Sequence, residues 1–306
     1  MYHVNFARDK YLQDPIRSRQ IGDAISNARK PKIPSISTTN KIYLKKIKEK
    51  GIIKLDNAFT QKDADKTVDF FSRLDGYDAH VPIYSKSRIQ FSEANRSETG
   101  YISYSTEQVL NNKVITNFIE QDPMRQVLEE YLGEDYSIYS VNTWWTLPRE
   151  ERLLTHGFHR DEDDFKFLVI FIYWTDVSIG DGHFEFIEKT HKLESIDKLP
   201  GNPNRLKKIQ ELTNTTNGYG RDDLYLDIYQ KENTYLSGAR GSAFMADTWG
   251  LHRGSPVIKP RLVTWLRYGQ GKNFTLFNDK PFFDEGRLSN RLGKRSKWLL
   301  RNMADV

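Results

Sequence analysis

Residues 155–164 read Thr155-His156-Gly157-Phe158-His159-Arg160-Asp161-Glu162-Asp163-Asp164 and stand directly before a largely apolar run over residues 165–177. In an extended chain successive side chains point to opposite faces, so His159 and Asp161, two apart, project to the same side. An imidazole nitrogen beside a carboxylate oxygen makes two thirds of a facial metal site. In such sites two His and one carboxylate hold one face of a non-haem Fe(II) ion and leave the other open. The third ligand must come from a distant part of the chain.

His252 is the candidate, in Ala246-Asp247-Thr248-Trp249-Gly250-Leu251-His252-Arg253-Gly254-Ser255-Pro256 after the short apolar run at residues 242–246. Nine residues on, Arg261 opens Arg261-Leu262-Val263-Thr264-Trp265-Leu266-Arg267-Tyr268. A guanidinium grips a carboxylate with two parallel hydrogen bonds, so His159, Asp161, His252 and Arg261 together suit Fe(II) and a dicarboxylate. Each has a plainer alternative. A lone His near a strand is ordinarily a satisfied structural group, and His-x-Asp is short enough to occur by chance. Arg267 falls on the same strand face as Arg261 and rivals it, though the distance from His252 favours Arg261. His183-Phe184-Glu185 repeats the strand-face geometry with a longer carboxylate, but in mid-strand after the turn Gly180-Asp181-Gly182. His156 and His191 lie near the site in sequence and stay open as functional candidates.

The residues that carry a family resemblance are His159-Arg160-Asp161-Glu162-Asp163-Asp164-Phe165-Lys166-Phe167-Leu168, Phe171-Ile172-Tyr173-Trp174-Thr175-Asp176-Val177, and residues 182–192 and 247–255. Over roughly residues 40–270 the chain resembles the phytanoyl-CoA dioxygenase-like branch of the Fe(II)/2-oxoglutarate oxygenases. The resemblance implies a mainly β fold with flanking helices, a double-stranded β-helix (jelly-roll, cupin-like) barrel. It implies His159, Asp161 and His252 as iron ligands, Arg261 on the distal carboxylate of 2-oxoglutarate, and O2 as the oxidant, with release of succinate and carbon dioxide. It also aligns the metal pair with His159 and Asp161 rather than with His183 and Glu185. Related halogenases carry a small residue in place of the carboxylate so that chloride can bind iron. Retention of Asp161 therefore implies hydroxylation or a related oxidation of a C–H bond. The expected substrate is a small polar metabolite, an amino acid derivative or a sugar; the family's name does not by itself indicate a fatty acyl-CoA.

The 306 residues contain 38% hydrophobic and 28% charged residues with 13% aromatics, enough to bury a real core and unlike a disordered chain. All-β barrels commonly run ~200 to 250 residues as one domain. One catalytic domain with additions is expected: an N-terminal arm at 1–40, an oxygenase domain at 41–280 and a basic tail helix at 281–306. Cysteine is absent, which excludes disulfides and thiolate ligands or nucleophiles. No apolar run of signal-peptide or membrane-spanning length occurs, so the cytoplasm is the expected location. The net charge of +5 hints weakly at acidic partners and does not by itself argue for nucleic acid.

Along the chain, residues 1–40 are polar and basic and read either as an arm that wraps the domain or as a disordered tail. A basic helix at 43–50 and a strand at 51–55 follow. Thr60-Gln61-Lys62-Asp63 resembles a capping box before an amphipathic helix. Residues 76–105 read as loop or edge strand, and Arg88, Arg96, Tyr101 and Tyr104 are candidate substrate contacts with exposed loop positions as the plainer reading. Residues 107–132 read as one or two helices, with Pro123 starting the second and Gly133 ending it. The β-branched and aromatic strand at 137–147 places Asn142 as a candidate near the co-substrate. Trp174, at the end of the buried strand 167–174, is a further substrate candidate. The insertion at 192–233 suits a lid or an oligomer contact, so a homo-oligomer is compatible with the sequence. Basic and apolar residues alternate over 287–301, which reads as a helix docked on the barrel. Two rival functions remain: a non-catalytic metal-binding barrel, and a nucleic-acid-modifying oxygenase using the basic arm and tail, for which the modest charge argues little.

Overall fold

In the computed structural model residues 14–31, 36–80, 85–150, 156–213, 222–229, 233–270 and 292–300 are described. Helix α1 (Pro15–Ala28) opens at Asp14, whose side chain accepts from the Arg17 N–H, with Pro15 in the first turn. Helix α2 (Thr38–Lys50), capped by Ser37, ends at Gly51 in the left-handed conformation (φ 86°) and delivers the chain into strand β1 (Ile52–Leu55). Helix α3 (Gln61–Ser72) carries the reciprocal Thr60 and Asp63 box that the sequence predicts. The short strands β2 (Gly76–Tyr77), β3 (Arg88–Ile89) and β4 (Tyr101–Tyr104) follow.

The predicted helices at 107–132 are three short ones, α4 (Thr106–Leu110), α5 (Lys113–Gln121) and α6 (Arg125–Leu132). Two breaks make the difference. Asn112 caps α5 by accepting from the N–H groups of Val114 and Ile115, and Asp122 ends it in the left-handed region. Next come β5 (Ser137–Thr146), β6 (Phe167–Tyr173), β7 (Phe184–Ile187), α7 (Arg205–Thr213), α8 (Asp222–Tyr229), β8 (Asn233–Leu236), β9 (Ala243–Ala246), β10 (His252–Gly254), β11 (Arg261–Gly269) and α9 (Lys294–Leu299).

Among the described residues the strands form two antiparallel sheets. One has eight strands in the order β1-β9-β6-β11-β5-β4-β2-β3, and the other three in the order β10-β7-β8. The architecture is a jelly-roll sandwich with helices on the outer face of the large sheet, and no closed barrel ladder runs through the described residues. Strand β6 shows why its sequence is almost wholly apolar. Leu168, Ile170 and Ile172 enter the core beneath the helices, whereas Phe167, Val169, Phe171 and Tyr173 enter the core between the sheets. A strand buried on both faces has no polar side to display. Each such side chain stabilises the fold by about 1.5–3 kcal/mol.

Beyond the sheets, α1 is docked rather than loose: Ser18, Arg19, Gly22 and Ser26 are buried. Residues 1–13 and 32–35 of the expected arm lie outside the described residues. In the insertion, Ile196, Leu199, Ile209, Tyr225 and Tyr229 join the inter-sheet core, and the Tyr229 hydroxyl donates to the Ser195 carbonyl (2.6 Å). Helix α9 places Leu299 in the helix-side core and Arg295 on Asp122. No helix among the described residues is long and apolar enough to cross a membrane.

Candidate active site

The segment bearing His159 and Asp161 is extended but forms no full strand. Its backbone is held by an isolated bridge, in which the N–H groups of His159 and His252 each donate to the other's carbonyl at 3.0 Å. The Asp161 N–H then donates to the Thr248 carbonyl (2.9 Å). These three backbone bonds set the two sequence-distant segments side by side. The side chains of His159, Asp161 and His252 converge, with one ligand atom from each within 4.8 Å of the others. His159 Nε2 lies 3.8 Å from Asp161 Oδ1, and His252 Nε2 lies 3.7 Å from Asp161 Oδ2. Ligands at ~2.1 Å from one ion in adjacent octahedral positions stand about 3 Å apart, so the three donors are close to their ligating spacing.

Tautomers follow from the second nitrogen of each ring. His159 Nδ1 faces the Gly157 carbonyl and His252 Nδ1 faces the Gly250 carbonyl, both at 2.9 Å. A carbonyl can only accept, so each Nδ1 carries the proton and each Nε2 presents a lone pair to the centre. Burial, followed by the neighbouring His159, pushes the His252 imidazole down to about 4 against the opposing pull of Asp161, which keeps it neutral. Burial by itself would raise the Asp161 carboxyl, but His252, Arg267 and His159 hold it below its usual value. Two imidazole Nε2 atoms and one carboxylate are the donor set that Fe(II) oxygenase chemistry requires, and the residues present fit a divalent cation.

The two arginines of β11 both face the space between the sheets, as does Val263 between them, but they differ in company. Arg267 meets carboxylates. Its guanidinium binds the Asp163 carboxylate, lies 3.9 Å from Asp161 Oδ2 and stacks over the Trp265 ring (3.9 Å to the centroid). The Tyr139 hydroxyl completes the network by donating to Asp163 (2.8 Å). Arg261 has only neutral partners, the Gly182 carbonyl and Thr146 Oγ1 (3.2 Å), while its buried Nε has no acceptor. Among the described residues Arg261 forms no ion pair, and burial lowers its pKa against the pull of Tyr173, Tyr101 and Asp181. Gly182 (φ 71°) makes room for this side chain, since a Cβ there would stand 2.7 Å from Val257 and 3.1 Å from Arg261 Cδ.

The other candidates divide by strand face. Asn142 faces inward on β5, opposite Trp265, and its Oδ1 accepts from the Trp265 indole (2.8 Å). Tyr101 packs against the inter-sheet core, 4.9 Å from the His80 ring. Two candidate substrate contacts are corrected. Tyr104 and Trp174 belong to the core beneath the helices, where the Tyr104 hydroxyl donates to the Phe71 carbonyl (2.6 Å) and the Trp174 indole to Thr264 Oγ1 (2.7 Å). Each is an odd number of positions from an inward residue, Tyr101 and Tyr173 respectively, so strand alternation turns it away from the site. Arg88, on the edge strand, is exposed and covers the Tyr77 ring (3.9 Å); Arg96 binds its neighbour Glu93 (2.6 Å).

His183 and Glu185 serve each other: His183 Nε2 lies 3.1 Å from Glu185 Oε1, Ser255 Oγ lies 2.7 Å from His183 Nδ1, and Arg253 takes the second Glu185 oxygen (2.9 Å). His191 is buried with its Nε2 3.2 Å from the Lys48 carbonyl and its ring against Gly51, and His156 is also buried. One group was missed from the sequence. His80 stands against Tyr101, Trp144 and Trp265 with ring centroids 4.8–5.3 Å away, and among the described residues its buried Nδ1 has no partner. Burial, Arg267 and Arg261 push it down to about 4. Its segment is aperiodic and carried no signal. What holds it is Asp78, whose carboxylate accepts from Ser97, Glu98 and Thr99.

No family model matches the sequence, and no curated protein matches it. Solved structures are similar in fold. EctD from S. alaskensis, determined with 2-oxoglutarate and 5-hydroxyectoine, superposes with a TM-score of 0.50 at 12% identity, over 80% of this chain and 80% of that one. EvdO2 from Micromonospora carbonacea var. aurantiaca, complexed with 2-oxoglutarate, gives 0.48 at 13% identity over 77% and 91%. The non-heme alpha-ketoglutarate-dependent epimerase SnoN from nogalamycin biosynthesis gives 0.48 at 10% over 76% and 84%. At these identities the likeness is one of fold.

Proposed function

We propose that the protein is an Fe(II)/2-oxoglutarate-dependent oxygenase of the phytanoyl-CoA dioxygenase-like kind, oxidising a C–H bond of a small polar metabolite, an amino acid derivative or a sugar. The observation that carries this reading is the meeting of His159, Asp161 and His252, with both Nδ1 atoms tied to carbonyls and both Nε2 atoms turned to the shared centre. Arg261 supports it as a half-buried cation that meets no carboxylate among the described residues, as the distal end of a dicarboxylate demands.

When bound, Fe(II) and 2-oxoglutarate supply the activation of O2 for the oxidation, with release of succinate and carbon dioxide. The chain's own residues do the positioning. His159, Asp161 and His252 would hold the metal ion, and Arg261 would take the far carboxylate. Arg267 neutralises Asp163 so that a second negative charge does not compete with Asp161. Phe171, Phe184, Phe244 and Trp265 form an apolar wall, with the Phe184 ring stacked on His252 (5.3 Å), and exclude water from the reacting centre.

The test is an anaerobic titration of the protein with Fe(II) and then 2-oxoglutarate, following the visible charge-transfer absorption of the chelate beside Asp161→Ala. A band in the wild type that is lost in the variant supports the reading. A folded, iron-loaded wild type without a band would leave a metal-binding jelly roll and no more.

A further inference from the structure

Helix α1 packs against both chain segments that carry the triad. Its Arg19 is buried and donates through Nη2 to Asp247 Oδ2 (2.5 Å), where the Tyr131 hydroxyl also donates (2.5 Å). Asp247 begins the turn that ends at His252. Its N–H donates to the Gly51 carbonyl, its carbonyl accepts from Gly250, and its Oδ1 accepts from the Trp249 N–H (3.2 Å). Gly250 in turn supplies the carbonyl that orients the His252 ring. The Trp249 ring has two guanidinium groups over it, Arg19 (5.5 Å) on α1 and Arg160 (4.7 Å), which stands in sequence between the other two ligands. Arg160 also donates to the Trp249 and Thr190 carbonyls, both at 2.6 Å.

One helical turn further on, Gly22 lies directly on the chain that leaves Asp161. A Cβ at Gly22 would stand 2.6 Å from the Phe165 carbonyl oxygen and 2.8 Å from Lys166 Cβ. Asp23 binds Lys166 (2.8 Å) beside this contact. A single short helix thus spans the segments that carry His159, Asp161 and His252.

We infer that α1 is a clamp on the metal centre, with Arg19 as the positioning residue that fixes His252 through Asp247 and Trp249. The inference rests on the metal-site reading above. Arg19 lies 228 positions from Asp247, and nothing in the local pattern of α1 requires a cation on its buried face. Residues behind the ligands commonly set metal affinity by 10- to 100-fold, because a ligand free to rotate must be ordered again on binding.

A second Arg-Asp-Tyr network in the same protein provides the control. Arg295 of α9 donates to Asp122 Oδ2 (2.8 Å through Nε) and to the Tyr136 hydroxyl, on an element that carries no triad residue. The experiment is a Co(II) titration of the full chain, reading the dissociation constant and the d–d absorption, with thermal unfolding measured alongside. Arg19→Met should weaken Co(II) binding by about 10- to 100-fold and alter the d–d spectrum. Arg295→Met should leave both unchanged even where it lowers the unfolding temperature as far. If Arg19→Met does not fold, Tyr131→Phe, which removes one hydroxyl from Asp247, perturbs the same clamp more gently and should move affinity in the same direction. Unaltered Co(II) affinity and spectrum in the folded clamp variants, or an equal loss in Arg295→Met, overturns the inference alone. A wild type that binds no Co(II) overturns the metal-site reading and the clamp together.

Discussion

Replacing Arg261 by Ala isolates the group that faces the co-substrate from the group that holds the metal. Its guanidinium has two neutral partners and an unpartnered Nε, so a bound carboxylate would gain a charge-assisted fork. Hydrogen bonds to charged groups contribute about 1.5–3 kcal/mol each; two at the lower end give ~3 kcal/mol, more than a hundred-fold in affinity. Arg261→Lys retains the charge and loses the fork, and about ten-fold is expected. The unliganded protein should suffer little, because a desolvated cation that meets no carboxylate among the described residues is a burden rather than a support. The assay is an anaerobic titration of the Fe(II)-loaded protein with 2-oxoglutarate, followed by visible absorption, with Fe(II) affinity measured separately. Wild-type 2-oxoglutarate affinity in Arg261→Ala would refute the assignment. So would loss of Fe(II) binding to the same degree, since the effect would then lie in the metal site or the fold.

Arg267→Met has the opposite character. It leaves the buried Asp161 and Asp163 carboxylates without their common cation, and should cost about 3–5 kcal/mol in urea unfolding at neutral pH. Adding Asp163→Asn should restore part of the loss, and a stable Arg267→Met protein would contradict the charge argument. A pH test follows from His191, which burial, with Arg19 and Lys192 acting in the same direction, pushes down from 6.5 to about 4. The folded state holds this imidazole neutral, so the unfolded chain takes up the proton first. Stability present above pH 6.5 is lost as the pH falls through 4, by about 3 kcal/mol for this one group. His191→Gln should therefore show a shallower decline between pH 7 and 4 in urea unfolding, and an unchanged slope would place the acid sensitivity elsewhere.

Alternation and spacing made much of the fold legible in advance. The apolar run of β6, the β-branched and aromatic β5, the capping box at Thr60 and the glycine turn before β7 are local patterns, and local physics decides them. The His-x-Asp pair and the distant His252, which the fold brings together, were likewise visible, because a metal site needs particular side chains at spacings a strand can present. The same alternation, counted one residue further, would have turned Tyr104 and Trp174 away from the site. It failed there because the inward phase of a strand flanked by two cores is not written in its hydrophobicity.

Other features were settled only by tertiary structure. The sequence left Arg261 and Arg267 as rivals, and the structure gives them different partners: Asp163 lies 104 positions from Arg267, a distance in sequence across which no local pattern operates. His80 became visible only once β4, β5 and β11 had brought Tyr101, Trp144 and Trp265 around it. The helix at residues 15–28 read as part of a polar arm because its buried face is made of Ser, Arg and Gly. That face is buried because Asp247 and the backbone at Phe165 wait on the other side of the chain. Sequence alone determined which chemistry the chain can carry, since ligand types and strand periodicity are local. Which charge meets which partner was decided by the fold, because burial and Coulomb contact depend on distance in space and not on distance along the chain.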